Sequence, residues 1–182
     1  MTTTGLYFIA IVPPDPLADQ IWNLKEFFQE VYQTKASLNS PAHITIHMPF
    51  DWKLAKEEKL VEGLRSFAKG RAGFDVSLNG FGCFAPRVIF INVDENEELR
   101  QLHNDLIRFC KVEFNVFNAR YKDQAYHPHV TLAFRDLRKP MFHKAWEEFQ
   151  SKPFSSSFQV KDFTLLKHNG KRWEVFRDFS LA

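Results

Sequence analysis

The sequence predicts an α+β chain of two pseudo-twofold-related lobes, each with an antiparallel-rich sheet and flanking helices, and a cleft between them. Three observations predict it. Strand-like apolar runs and helical stretches follow one another in an order that occurs twice. The unit His-x-Thr occurs once in each half, in "HITIHMPF" (43–50) and "HPHVTLAF" (127–134), with His43 and His129 86 residues apart. No stretch rich in Gly, Ser or Pro separates the halves, so the 182 residues read as a single bilobal domain with an internal repeat of approximately 6–86 and 87–182.

The first copy opens with the apolar strand "LYFIAIV" (6–12). Asp15 stands where a helix cap is expected, with Pro16 at the first helical position. Leu17, Ile21, Leu24, Phe28 and Val31 then lie on one helical face. The polar stretch "KASLNSPA" (35–42) leads into the first His-x-Thr strand. Leu60, Leu64 and Phe67 suggest a second helix, and Phe74, Val76 and Leu78 alternate with Asp75, Ser77 and Asn79 as a half-buried strand.

The second copy repeats the plan. "RVIFINV" (87–93) is a strand, and Asp94 is placed to cap a helix bearing Leu99, Leu102, Leu106 and Phe109. A loop through "NARYKDQAY" (118–126) leads to the second His-x-Thr strand. A short helix from Pro140 carries Phe142, Trp146 and Phe149, and "SSSFQVKDFTLL" alternates Phe158 and Val160 with Gln159 and Lys161. "RWEVFRDF" (172–179) closes a hairpin over His168, Asn169, Gly170 and Lys171. His43 precedes Phe74 by 31 residues and His129 precedes Phe158 by 29, so the spacing repeats with the order.

Composition narrows the function classes. A formal charge of +2 does not describe a chain held on nucleic acid by bulk electrostatics. Cys83 and Cys110 have neither disulfide-framework nor zinc spacing. No apolar run approaches the ~18 residues that cross a bilayer, and no signal-like segment opens the chain, so a soluble, reducing, cytoplasmic setting is expected. Triphosphate cradles of the GxGxxG or GxxxxGKS type are missing, as is the GxSxG elbow of serine hydrolases. Most of the 20 phenylalanines are expected in the core, Phe50 and Phe134 among them.

The motif itself carries the chemistry. Side chains alternate along a strand, so His43 and Thr45 share one face, as do His129 and Thr131. Two such units facing one another give two imidazoles and two hydroxyls around one space. With an unperturbed pKa near 6.5, one ring can be neutral and the other protonated near neutral pH. The neutral ring takes a proton from an attacking oxygen, the charged ring gives one to the leaving oxygen, and the hydroxyls donate to a phosphate. A lone His-x-Thr would read as an ordinary strand; two at matching positions do not.

The same parity places His47 beside His43, His127 beside His129, and Arg135 on the inward side, where they would bind phosphate or a sugar edge. Tyr126 and Phe84 border the proposed cleft as stacking surfaces for a base. Four convergent histidines could hold a transition metal, but no carboxylate lies on either strand face, and neither a metal nor a cofactor is expected.

"HITIHMPF", "HPHVTLAF" and "GFGCFAPRVIFINV" resemble the signatures of the 2H phosphoesterase superfamily, which includes 2′-5′ RNA ligase-like proteins and cyclic phosphodiesterases. The resemblance spans nearly the whole chain. It implies a metal-independent site in which His43, Thr45, His129 and Thr131 are catalytic, with His47, His127, Arg135 and Tyr126 on the substrate. It also implies hydrolysis of 2′,3′-cyclic or related nucleotide and RNA-terminal phosphodiesters, in some members with 2′-5′ joining of RNA ends. His47 and Met48 replace the basic or small residues common in that family, so substrate preference does not carry over. The partner expected is a nucleotide or RNA terminus, on a monomer without membrane contact. The alternative is a binding module for RNA ends or nucleotides that keeps the cage without turnover.

Overall fold

A computed structural model describes residues 3–117 and 125–181. In chain order its elements are β1 (Thr4–Ile11), α1 (Leu17–Tyr32), β2 (Ile44–Lys53), α2 (Glu57–Ala68), β3 (Phe74–Phe84), β4 (Val88–Val93) and α3 (Glu97–Phe114). They continue with β5 (His129–Ala133), α4 (Lys139–Phe149), β6 (Ser155–Val160), β7 (Asp162–His168) and β8 (Trp173–Ser180). Both motif strands, β2 and β5, fall where their apolar alternation predicts. Of the loop expected over 118–126, residues 118–124 lie outside the described residues.

The α+β class stands, with the two sheets joined edge to edge. The eight strands form one antiparallel sheet in the order β6-β3-β4-β5-β2-β1-β7-β8. Its four-stranded halves meet where Ile44 of β2 pairs with Val130 of β5. These halves are not the halves of the sequence. β3 crosses to pair with β4, and β7 returns to pair with β1. The stretch 155–166 is two strands, β6 against β3 and β7 against β1, broken at Lys161. Alternation tells a strand which face to bury but not which neighbour to choose, so the exchange left no trace in the periodicity.

Residues of all four helices join alternate strand residues, among them Ile9, Ile44, Ile91 and Val130, in one apolar cluster. That cluster fixes which sheet face is covered. On the opposite face Phe8, Ala10 and Leu166 form a separate small cluster, with Trp173 against it.

Two helix starts differ from expectation. α1 begins at Leu17 with Pro16 at the cap position and no side-chain cap, so Asp15 does not serve. α3 is capped by Asn96, whose Oδ1 accepts from the Leu99 N–H at 2.7 Å, rather than by Asp94. The buried face of α1 is also turned: Leu17, Ile21, Lys25, Phe28 and Tyr32 are buried, while Val31 is exposed. Hydropathy selects Leu24 and Val31; the stripe that packs runs through Lys25 and Tyr32 at equally helical spacing.

Candidate active site

Around the Ile44–Val130 pair, an antiparallel ladder sets His43 beside Thr131 and Thr45 beside His129. Ile44 and Val130 point into the covered core, so the four polar side chains lie on the other face. Thr45 pairs across to Ala10, and Thr131 and His129 pair across to Phe90 and Asn92. His43 and His129 occupy the diagonal of this patch, a relation that separates neighbouring-strand positions by about 7–8 Å.

Each imidazole is oriented in the same way. His43 Nδ1 lies 2.8 Å from the Pro41 carbonyl oxygen, and His129 Nδ1 lies 2.7 Å from that of His127, in both cases two residues earlier. A carbonyl only accepts, so Nδ1 carries the proton and Nε2 is left for a substrate. Burial, then the nearby Lys25 ammonium, pulls His43 down from 6.5 to about 4. Burial lowers His129 too, and the neighbouring His127 ring acts in the same direction.

Aromatic rings flank both histidines. Phe8 lies 4.9 Å from His43, ring centre to ring centre, with Trp173 edge-on to Phe8. Phe90 lies 4.7 Å from His129, and the partly exposed Phe84 stands 5.3 Å from the same ring. The Phe90 ring fits because Gly82 faces it: a Cβ there would come within 2.4 Å of the ring.

The parity argument holds for the two motifs and fails beyond them. Ala10 pairs with Thr45, but Ile9 pairs with His47, so Ile46 is an extra residue and both Ile46 and His47 turn towards the core. The second strand repeats this 86 residues on: Phe90 pairs with Thr131 and Ile89 with Ala133, and both Leu132 and Ala133 face the core. A β-bulge thus follows each His-x-Thr unit and reverses the alternation. His47 is corrected by it. The residue is 1% exposed, its Nδ1 is 2.8 Å from the Met48 carbonyl, and its ring packs edge-on to Phe50. It cannot join His43 in holding a phosphate, and the four-histidine metal set loses a member.

Strand parity does not reach Arg135 either. It stands past the end of β5 at φ 53, exposed, with its guanidinium over the Phe134 ring. Phe134 is itself only half-buried and outside the core cluster. Tyr126 is no stacking platform for a base: its ring packs against the core side, parallel to His103 at 3.7 Å, and its hydroxyl donates to the Thr45 carbonyl. His127 stays near the site, its ring 6.1 Å from that of His129 and against Phe84. No motif points to Lys25, which is fully buried behind His43; its only sequence signal is a basic residue four after Ile21 and three before Phe28.

A family model described as the 2′-5′ RNA ligase superfamily matches residues 13–172, the span that contains both histidine strands. The chain belongs to the 2′-5′ RNA ligase superfamily. Among relatives of this superfamily member, a candidate phosphoesterase of Oceanobacillus iheyensis is 28% identical, covering 97% of this chain and 98% of its own. One from Geobacillus sp. WCH70 is 25% identical over 95% and 94%. Escherichia coli LigT in its apo form superposes with a TM-score of 0.68 at 25% identity, over 100% of this chain and 99% of LigT. LigT has also been solved with 3′-AMP, NADP+, ATP and phosphate. TT0787 of Thermus thermophilus shares the fold, with a TM-score of 0.70 at 20% identity over 97% of each chain. Among the described residues no helix of this superfamily member is long and apolar enough to cross a membrane.

Proposed function

We propose that the chain is a metal-independent phosphoesterase acting on 2′,3′-cyclic nucleotide or RNA-terminal phosphodiesters. The observation that carries the reading is the diagonal His43–His129 pair, with each Nδ1 tied to a carbonyl and a threonine beside each ring. One neutral imidazole takes the proton of water as its oxygen bonds to phosphorus. The other, protonated, gives its proton to the ribose oxygen as the P–O bond breaks. Thr45 and Thr131 donate to the non-bridging oxygens, where negative charge collects. The product is a phosphomonoester beside a free hydroxyl, and solvent resets both rings. With the 5′-hydroxyl of a second RNA end in place of water, the same groups form a 2′-5′ linkage: its oxygen bonds to phosphorus as the base takes its proton, and the ribose 3′ oxygen leaves with the proton of the acid. The phosphoesterase names of the relatives and the nucleotides bound by LigT support a nucleotide substrate.

The test is incubation with the four 2′,3′-cyclic mononucleotides and a cyclic-ended RNA, in excess EDTA. Conversion to monophosphates is expected. Binding of all of them with conversion of none would make the protein a nucleotide- or RNA-end-binding module. Activity lost to EDTA and restored by zinc or manganese would overturn metal independence.

A further inference from the structure

Behind His43 lies a lysine that the reaction scheme does not use. Lys25, in the middle of α1, is 1% exposed. Its Nζ donates to the carbonyl oxygens of Ser37 (3.0 Å), Ser40 (3.0 Å) and Pro41 (3.3 Å). Three acceptors match the three protons of an ammonium; an amine would turn its lone pair on one of them. Burial draws the group down to about 7, and no carboxylate pairs with it among the described residues. A buried cation without a counter-ion is a costly choice at a helix position that a leucine or methionine would fill.

Two links tie this lysine to the site. The Pro41 carbonyl accepts from both Lys25 and His43. Ser37, whose carbonyl Lys25 also holds, donates its hydroxyl to the Leu132 carbonyl at 2.7 Å, beside Thr131. Asp136 pins the start of the same segment to the end of β5, accepting from the Thr34 hydroxyl and the N–H groups of Lys35 and Ala36. Residues 34–41 therefore bridge the two motif strands, with the Lys25 ammonium as their hub.

We propose that Lys25 is a positioning residue of the site: it holds segment 37–41 as the seat of His43 and puts a positive charge behind that ring and not behind His129. That role rests on the acid–base reading above. Among the described residues, the charged or titratable groups acting on His43 are Lys25 from α1 and His129 from β5, while β1 and β8 present Phe8 and Trp173. Acting with burial, Lys25 disfavours the imidazolium at His43.

The test is a pH titration of His43 and His129 by NMR in the whole chain, wild type and Lys25→Met, beside the pH dependence of kcat/KM on a cyclic nucleotide. In Lys25→Met the His43 midpoint is expected to rise by about one unit, with His129 moving much less, and the limb of kcat/KM that follows His43 to rise with it. No rise, or an equal rise at both rings, overturns the proposal. Should Lys25→Met fail to fold, the ¹³Cε resonance of Lys25 in the wild-type chain decides. An ammonium through the range where His43 titrates supports the proposal, and an amine there overturns it. The resonances need no turnover: a chain that converts no cyclic substrate refutes the phosphoesterase reading, while the Lys25–His43 coupling is still judged by the midpoints.

Discussion

The rings of His103 and Tyr126 lie parallel, 3.7 Å apart, and the Tyr126 hydroxyl donates to the Thr45 carbonyl at 2.9 Å. His103 Nδ1 in turn sits 2.8 Å from the carbonyl of Ile46. A helix residue and the residue that leads into the second motif thus both grip the backbone of the first motif strand at its bulge. Tyr126→Phe keeps the stack and removes one hydrogen bond. It should lower unfolding stability by about 1 kcal/mol in urea titration. Because the lost bond holds Thr45, kcat/KM should fall as well; unchanged kinetics would show that the grip serves stability alone.

His47 and His103 make the fold sensitive to acid. Burial lowers both below their ordinary 6.5, and the His103 ring further disfavours protonation of His47. The folded chain keeps them neutral while the unfolded chain takes up protons. Their contribution to stability is therefore complete above about pH 6.5 and is lost as pH falls towards the folded-state values. The urea midpoint should drop between about pH 7.5 and pH 5. His47→Leu, which removes one of the buried titrating histidines, should flatten that drop; a variant with the wild-type slope would show that His47 takes no part.

The motifs were legible because they obey a period of two over three residues, and the structure keeps that period from His43 to Thr45 and from His129 to Thr131. It breaks one residue later. The bulges at Ile46–His47 and Leu132–Ala133 reverse the faces, so extrapolating parity misplaced His47 and has no hold on Arg135, past the end of β5. An inserted residue changes backbone register without any marker residue, and both copies carry it, so comparing the halves could not expose it. Lys25 was hidden for another reason: hydropathy assigns a lysine to solvent, and its three carbonyl acceptors come from segment 37–41, which only folding brings to α1. The repeat plan and the helices were readable; partner choice in the sheet was not.

If the two histidines work as a pair, His43→Ala and His129→Ala should each lower kcat by about 10²–10⁴-fold. The double variant should lose less than the product of the two. Thr45→Val and Thr131→Val should each cost about 10²–10³-fold, the scale for one transition-state donor. Both rings are lowered from 6.5, so the bell in kcat/KM for the free enzyme should peak below that value, with limbs belonging to the pair. An ester with a nitrophenolate leaving group needs no proton from the acid and should largely rescue the alanine variant of the acid and not that of the base. Near-wild-type rates in both alanine variants would make the repeated motif structural.

Phe84 is the remaining candidate to receive a base. It is 44% exposed, edge-on to His129 and tilted against Phe90 at 4.6 Å, which Gly82 admits to the same wall. A base laid on Phe84 would place its ribose phosphate towards the histidines. Stacking on an aromatic ring is worth about 1–3 kcal/mol per base, so Phe84→Ala should raise KM for a cyclic mononucleotide by about 5–150-fold. A platform that binds ground and transition states alike leaves kcat nearly unchanged. Phe84→Tyr keeps a π-face and should retain the wild-type KM. A fall in kcat with KM constant would assign Phe84 instead to the packing that holds the His129 ring.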